Sequence, residues 1–409
     1  MPILDPILKP LIRSGSLSVI DWKGREVCYG DGIGVPITIR IHDRVTGYRL
    51  LLDPQLETGE AYMSGRLTME KGTIFDFLDL IFRNIGLRSL NYPMRGLTES
   101  VRSIMRLVHQ YNPIWRSRYN AQHHYDLSDD LYESFLDSDR QYSCGYFISN
   151  QDSLEIAQQQ KKSHIASKLL LRKGHKVLDI GSGWGGLALY LSSTFQTDVT
   201  GLTLSTEQFS ASNRRVSEAN LEEHVRFKLL DYRQEEGCYD RIVSVGMFEH
   251  VGVTQYGIFF RKIRSLLRDE GVALLHSIAR PDGPGHTNPW IKRHIFPGGY
   301  IPSLSETIAA IEASGLLVTD VEIIRLHYAE TLRHWRERFW RNAEKIRKVY
   351  DDRFFRMWEF YLITSELAFR YQGMMVFQIQ LAKRHDVVPI TRDYMNLSQS
   401  NHPFAFTSR

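Results

Sequence analysis

The stretch Val177-Leu-Asp-Ile-Gly-Ser-Gly-Trp-Gly-Gly186 constrains the fold more than any other part of the chain. It sets a short apolar run against a glycine-rich turn and follows it with the apolar helix pattern GLALYLSSTF (186–195). A buried strand that turns tightly into a helix leaves free N–H groups pointing outward at the helix start, where a ligand can approach bare backbone. From about residue 165 onward, strand and helix patterns alternate. Strands are expected at Lys176 to Ile180, Asp198 to Leu204, Val225 to Leu230, Arg241 to Met247 and Val272 to His276. Such alternation is the signature of a doubly wound α/β sheet.

At 409 residues the chain exceeds the size at which one hydrophobic core stops growing, so two domains are expected. Residues 1–100 read as a smaller mixed α+β domain, 101–118 as a linker, 119–390 as the ligand-binding domain and 391–409 as a tail. In the first domain Ile37, Ile39 and Ile41 alternate before Asp43 to Gly47, and a hairpin returning through Tyr48 to Leu52 is expected. Residues 74–87 carry helical spacing. The region from Thr331 to Lys383 reads as helix, because it lacks proline and holds only Gly373 as a breaker.

Composition excludes several classes. The hydrophobic and charged fractions, 43% and 24%, are those of a globular protein, and no apolar run reaches the roughly 18 residues of a membrane span. A formal charge of +4 does not mark a nucleic-acid binder. Three cysteines at unrelated spacings give neither a disulfide framework nor a metal-ligand pattern, and no HExxH or CxxC spacing occurs, so no metal is expected. The start, MPILDPILKPLIR, lacks the marks of a signal peptide, and a cytoplasmic setting is expected. Between Thr331 and Arg356 nine Arg or Lys residues outnumber four acids. That stretch is either a solvated helix face or a surface for anionic phospholipid.

The glycine turn by itself, read as GxGxxG, also fits a dinucleotide. Such a site expects a carboxylate roughly 20 residues on, but the next strand ends Gly201-Leu-Thr-Leu-Ser205. S-adenosylmethionine fits better. Asp231 and Tyr232 after the third strand offer a partner for an adenine edge and a ring to stack on its face, while Thr203 and Gln208 reach the ribose or amino-acid end. Gly181, Gly183 and Trp184 belong to the turn itself. Glu249 and His276 follow the fourth strand and end the fifth, where they either orient a small anion or tie two strands together. His123 and His124 precede a helix start at Asp126 to Asp130, whose acids read as caps and a negative first turn. His124 is a further candidate for the site.

Several long motifs occur in order: HYDLSDDLY (124–132), YSCGYF (142–147), LDIGSGWGG (178–186), GLTLSTEQ (201–208), DRIVSVGMFEHVG (240–252) and FPGGYIPS (296–303). Together they resemble the cyclopropane fatty acid synthases, a family that includes the mycolic acid cyclopropane synthases. The resemblance covers residues from about 115 to 382. It implies a Rossmann-like class I methyltransferase domain that moves a methylene carbon from S-adenosylmethionine to the cis double bond of an unsaturated phospholipid acyl chain, with bicarbonate as base. It further implies a homodimer at the inner face of the membrane, with the N-terminal domain aiding engagement. Cys144, Glu249, His276, Ile278 and Tyr328 match positions around the anion, Cys144 and Ile278 through their backbones. Tyr142, Ser143, Gly181, Gly183, Thr203, Gln208 and Tyr232 match cofactor contacts, with Tyr232 standing where the mycolic acid branch has tryptophan. The chemistry itself asks for such a site. An alkene attacking a sulfonium methyl becomes a carbocation, so the pocket must be dry and lined with groups that tolerate positive charge, such as aromatic faces. Tyr142, Tyr146, Phe147, Tyr300 and Tyr328 are candidates, and most aromatics of the 335–358 stretch are expected to be core. Two other outcomes fit the sequence: a lipid C-methyltransferase that leaves a methyl or methylene branch, and a non-catalytic lipid-binding relative.

Overall fold

The computed structural model describes residues 3–88, 90–110 and 129–395, with side chains omitted for 103–109; His123 and His124 lie outside it. The chain forms two compact units that are not contiguous in sequence. Residues 285–297 and 332–374 group with 1–108, and the remainder groups with 109–284. Half of the expected linker, up to His109, is the end of a helix spanning Arg95–His109.

The first unit holds a four-stranded sheet in the order β2-β1-β3-β4. β1 (Ser16–Ile20) pairs antiparallel with β2 (Glu26–Tyr29) and parallel with β3 (Pro36–Ile41), which pairs antiparallel with β4 (Leu67–Lys71). Ile37, Ile39 and Ile41 are buried on one face, as their spacing of two requires. The expected return strand is instead a helix, Arg44–Leu52. Asp43 decides this: its carboxylate accepts from Thr46 N at 2.8 Å and Thr46 Oγ1 at 2.7 Å, an N-cap that outweighs the strand preference of Tyr48. The helix Ile74–Ile85 forms where its spacing predicts and opens on a capping box of Thr73 and Asp76. Later segments add the helix Pro289–His294, most of the helix His327–Arg341, and the helices Ala343–Val349 and Asp352–Tyr371 to this unit, and Trp335, Phe339, Phe355 and Trp358 are core side chains there. Arg336 pairs with Glu366 at 2.9 Å, whereas Lys348 and Arg353 of the basic stretch are exposed.

The second unit is built on seven strands in the order β10-β11-β9-β8-β5-β6-β7. These are β5 (Lys176–Ile180), β6 (Asp198–Thr203), β7 (Val225–Leu229), β8 (Tyr239–Val245), β9 (Leu267–Ala279), β10 (Leu317–Ile324) and β11 (Met375–Ala382). β5 to β9 run parallel, and β11 runs antiparallel between β9 and β10. β11 corrects the expectation of helix through Lys383: the helix Asp352–Tyr371 ends, Gly373 takes a left-handed φ of 70°, and the chain enters the sheet. Its alternation of Phe377, Ile379 and Leu381 with Val376, Gln378 and Gln380 has the period of a strand. Strand order reverses direction beside β5, and in open α/β sheets a crevice forms at that point beyond the carboxyl ends.

Candidate active site

The crevice holds a cavity floored by the turn after β5. Gly181 has φ 87°, and a Cβ there would lie 2.7 Å from Cβ of Met247, so only glycine fits. The N–H groups of Gly181 and Ser182 both donate to Leu202 O, at 3.0 and 2.9 Å, which locks the turn against the end of β6. All nine residues assigned to the cofactor from sequence, Tyr142, Ser143, Gly181, Gly183, Trp184, Thr203, Gln208, Asp231 and Tyr232, line this one cavity. They come from the ends of β5, β6 and β7 and from the segment before the helix Leu154–Leu169.

Within it, Thr203 Oγ1 donates to Gln208 Oε1 at 2.8 Å, fixing the amide at the end of β6. Tyr232 is buried with its ring edge-on to Phe259, centroids 5.3 Å apart, which leaves the ring held in place for stacking. The Asp231 carboxylate is already held by Arg233, through Nε and Nη2 at 2.7 Å each. Trp184 packs on Tyr132 at 5.0 Å.

The segment 141–147 is tied down along its length. Gln158 Nε2 donates to Ser143 O at 2.9 Å, Gly145 N to Thr331 Oγ1 at 2.9 Å and Phe147 N to His327 Nδ1 at 3.0 Å. These last two bonds join Cys144 and its neighbours to the helix that carries Tyr328. The Cys144 thiol is buried, donates to Gly145 O at 3.2 Å, and is pushed up by desolvation.

Glu249 sits on a single 3-10 turn just after β8. Its Oε1 accepts from Ile278 N at 2.7 Å, while Oε2 is buried without a hydrogen-bond partner. Burial pushes this carboxyl up to about 7. His276 lies on β9 opposite Val245, and its carbonyl accepts from Gly246 N at 3.0 Å. Its Nδ1 faces Gln378 Nε2 at 3.1 Å, and burial drives the imidazole down to about 3, so it is neutral. The structure therefore joins Glu249 directly to Ile278, with His276 two residues earlier on the same strand. None of the five anion-site candidates lines the cofactor cavity, although His250, next to Glu249, does.

Among the ionisable lining residues, Arg140, Lys161, Asp179, Arg233 and His250 went unassigned in the sequence. Asp179 and His250 lie inside quoted motifs, so adjacency could have found them. Lys161 had no such signal, since a lysine in a polar helix reads as surface. Among the described residues no cluster of three or more His, Cys, Asp or Glu could hold a metal ion, and no helix is long and apolar enough to cross a membrane.

Residues 114–379 match the model for mycolic acid cyclopropane synthetase, and residues 4–87 match a domain of unknown function. The chain is 35% identical over 349 residues to the cyclopropane-fatty-acyl-phospholipid synthase of Escherichia coli (strain K12), covering 85% of this chain and 88% of that protein. It is 34% identical over 345 residues to the tuberculostearic acid methyltransferase UfaA1 of Mycobacterium tuberculosis, covering 80% and 78%. Among solved structures, the mycolic acid cyclopropane synthase CmaA1 complexed with SAH and CTAB superposes with a TM-score of 0.62 at 32% identity, covering 66% of this chain and 99% of that one.

Proposed function

The chain belongs to the mycolic acid cyclopropane synthetase family of S-adenosylmethionine-dependent methyltransferases, and from that premise we propose that it is a cyclopropane-fatty-acyl-phospholipid synthase. In this reading the alkene carbons of a phospholipid acyl chain form a bond to the sulfonium methyl as its C–S bond breaks. The resulting carbocation closes to a three-membered ring when a proton leaves the former methyl carbon. Overall the acyl chain gains CH₂, and S-adenosylhomocysteine and a proton are released.

The observation that carries the proposal is the Glu249 carboxyl, buried at the strand end beside the cofactor cavity with one oxygen fixed by Ile278 and the other unpartnered. A buried polar atom left unsatisfied costs about 1–3 kcal/mol, and an anion with its own hydrogens and lone pairs satisfies it. Bicarbonate, held by Glu249, His276, Tyr328 and backbone groups at Cys144 and Ile278, supplies a small base in that position. S-adenosylmethionine, seated along Gly181, Thr203, Gln208 and Tyr232, supplies the electrophilic methyl. Near neutral pH a Glu249 carboxyl poised at about 7 is partly protonated, so Oε2 acts as donor or acceptor. Neutral His276, with Nδ1 turned to Gln378, keeps its other ring nitrogen as a donor. The rings of Phe248, Phe259 and Tyr256, which follow the carboxyl end of β8, are buried, and a carbocation survives only where water is excluded. The enzyme works as a homodimer docked on the inner membrane face, as its family implies.

Incubation with S-adenosylmethionine, bicarbonate and vesicles of monounsaturated phospholipid should yield lipid heavier by one CH₂ with its alkene protons gone. Recovery of unchanged lipid overturns the proposal. A second reading, transfer that leaves a methyl or methylene branch, is favoured by the similarity to a tuberculostearic acid methyltransferase. Proton NMR separates the two, because only a cyclopropane gives strongly upfield ring protons.

A further inference from the structure

Lys161 lies in the helix Leu154–Leu169 and is 1% exposed, yet it has no ionic partner among the described residues. Its Nζ donates to Gln141 Oε1 at 2.6 Å and to Ser143 Oγ at 2.8 Å, both neutral acceptors, and a third N–H is unspent. Asp137 and Asp139, whose charges favour its ammonium form from a distance, make no ion pair with it and are held elsewhere. Asp139 is bound by Lys162 at 2.6 Å and by Arg215, and Asp137 accepts from the backbone N–H of Gln141 at 2.8 Å and of Asp139 at 3.2 Å. A buried ammonium without a counter-charge is costly, and an apolar side chain of similar volume would pack there at lower cost. Desolvation accordingly pulls Lys161 down to about 8.

The ammonium faces the cavity that holds all nine cofactor candidates, and so does Asp179, whose Oδ2 is buried without a partner. Two unspent groups of opposite sign in one cavity match the two ends of an α-amino acid. Adenine and ribose are uncharged and the sulfonium is positive, so Lys161 repels the reacting end of S-adenosylmethionine and attracts only its carboxylate. We propose that the Lys161 ammonium is the counter-charge that binds the α-carboxylate of S-adenosylmethionine, with Ser143 held beside it as a second donor. This inference rests on the cofactor reading above and adds a residue and a recognised group to it.

The test is calorimetric binding at neutral pH of S-adenosylhomocysteine and of 5′-methylthioadenosine, which lacks the amino-acid end, to the wild-type chain, K161M and K161R. The expected result is that K161M loses on the order of 30-fold or more in affinity for S-adenosylhomocysteine, keeps its affinity for 5′-methylthioadenosine, and is exceeded by K161R. Retained 5′-methylthioadenosine binding also reports that K161M is folded. Equal weakening of both ligands, or no change in either, overturns the inference. So does a K161M chain that binds both normally but needs more bicarbonate for turnover, since Lys161 would then serve the other anion. Failure of the wild-type chain to bind S-adenosylhomocysteine removes the cofactor reading itself, a different result from any of these.

Discussion

The cavity at the ends of β5 to β7 and the corner at the ends of β8 and β9 are built of different materials. The first is shaped by glycine, packed rings and hydrogen bonds, with Gly181 against Met247, Thr203 on Gln208 and Tyr232 on Phe259, around two buried ionisable groups, Lys161 and Asp179. The second holds ionisable groups away from their ordinary protonation, with Glu249 up to about 7 and His276 down to about 3. A surface that binds needs shape, which glycine and packed rings supply. A surface that moves protons needs groups whose charge is near balance at working pH, which burial supplies.

Glu249→Gln tests the division most strongly. The amide keeps an acceptor for Ile278 N but cannot exchange a proton, so turnover should fall about 10³-fold, while S-adenosylhomocysteine affinity, measured by calorimetry, stays within twofold or so. Equal loss of both would merge the two regions into one. Gly181→Ala should do the reverse. Its Cβ, placed 2.7 Å from Met247 at φ 87°, should cost about 3–4 kcal/mol in denaturant unfolding and weaken cofactor binding. Normal affinity in that variant would show that the turn does not shape the cavity.

The smallest effect is in pH dependence. A carboxyl raised from its ordinary value of 4.5 to about 7 binds a proton more tightly when folded, so its contribution to stability is full below about 4.5 and is lost as pH rises through 7. His276 slopes the other way, because a lowered imidazole loses stability as pH falls from 6.5 toward 3. Wild-type unfolding should therefore lose on the order of 3 kcal/mol relative to Glu249→Gln between about pH 4.5 and 7.5. Parallel stability curves for the two proteins would mean that Glu249 is an ordinary carboxylate.

Much of the cavity was legible because its residues sit in short motifs at strand ends. Lys176 to Ile180 is a strand with those very bounds, and the glycine turn follows it. Where local preference and tertiary context disagreed, the sequence misled. Tyr48 to Leu52 carries strand-forming residues, yet the Asp43 cap turns it into helix. Met375 to Ala382 alternates with a strand period, but it follows a long helical stretch and finds its partners in β9 and β10, far back in the chain. The helix Leu154–Leu169 is polar on every side in sequence, yet Gln158, Lys161 and Lys168 are all buried.

The amino-acid sequence by itself determined the kind of ligand site, because a glycine turn after a buried strand and the absence of a carboxylate at the end of the next strand are local facts. Only the tertiary structure decided which charges lie unspent inside it. Whether Lys161, Asp179 and Glu249 meet water, a partner or a ligand depends on which distant segments cover them. Desolvation is a property of those neighbours and cannot be read from a residue's own place in the chain.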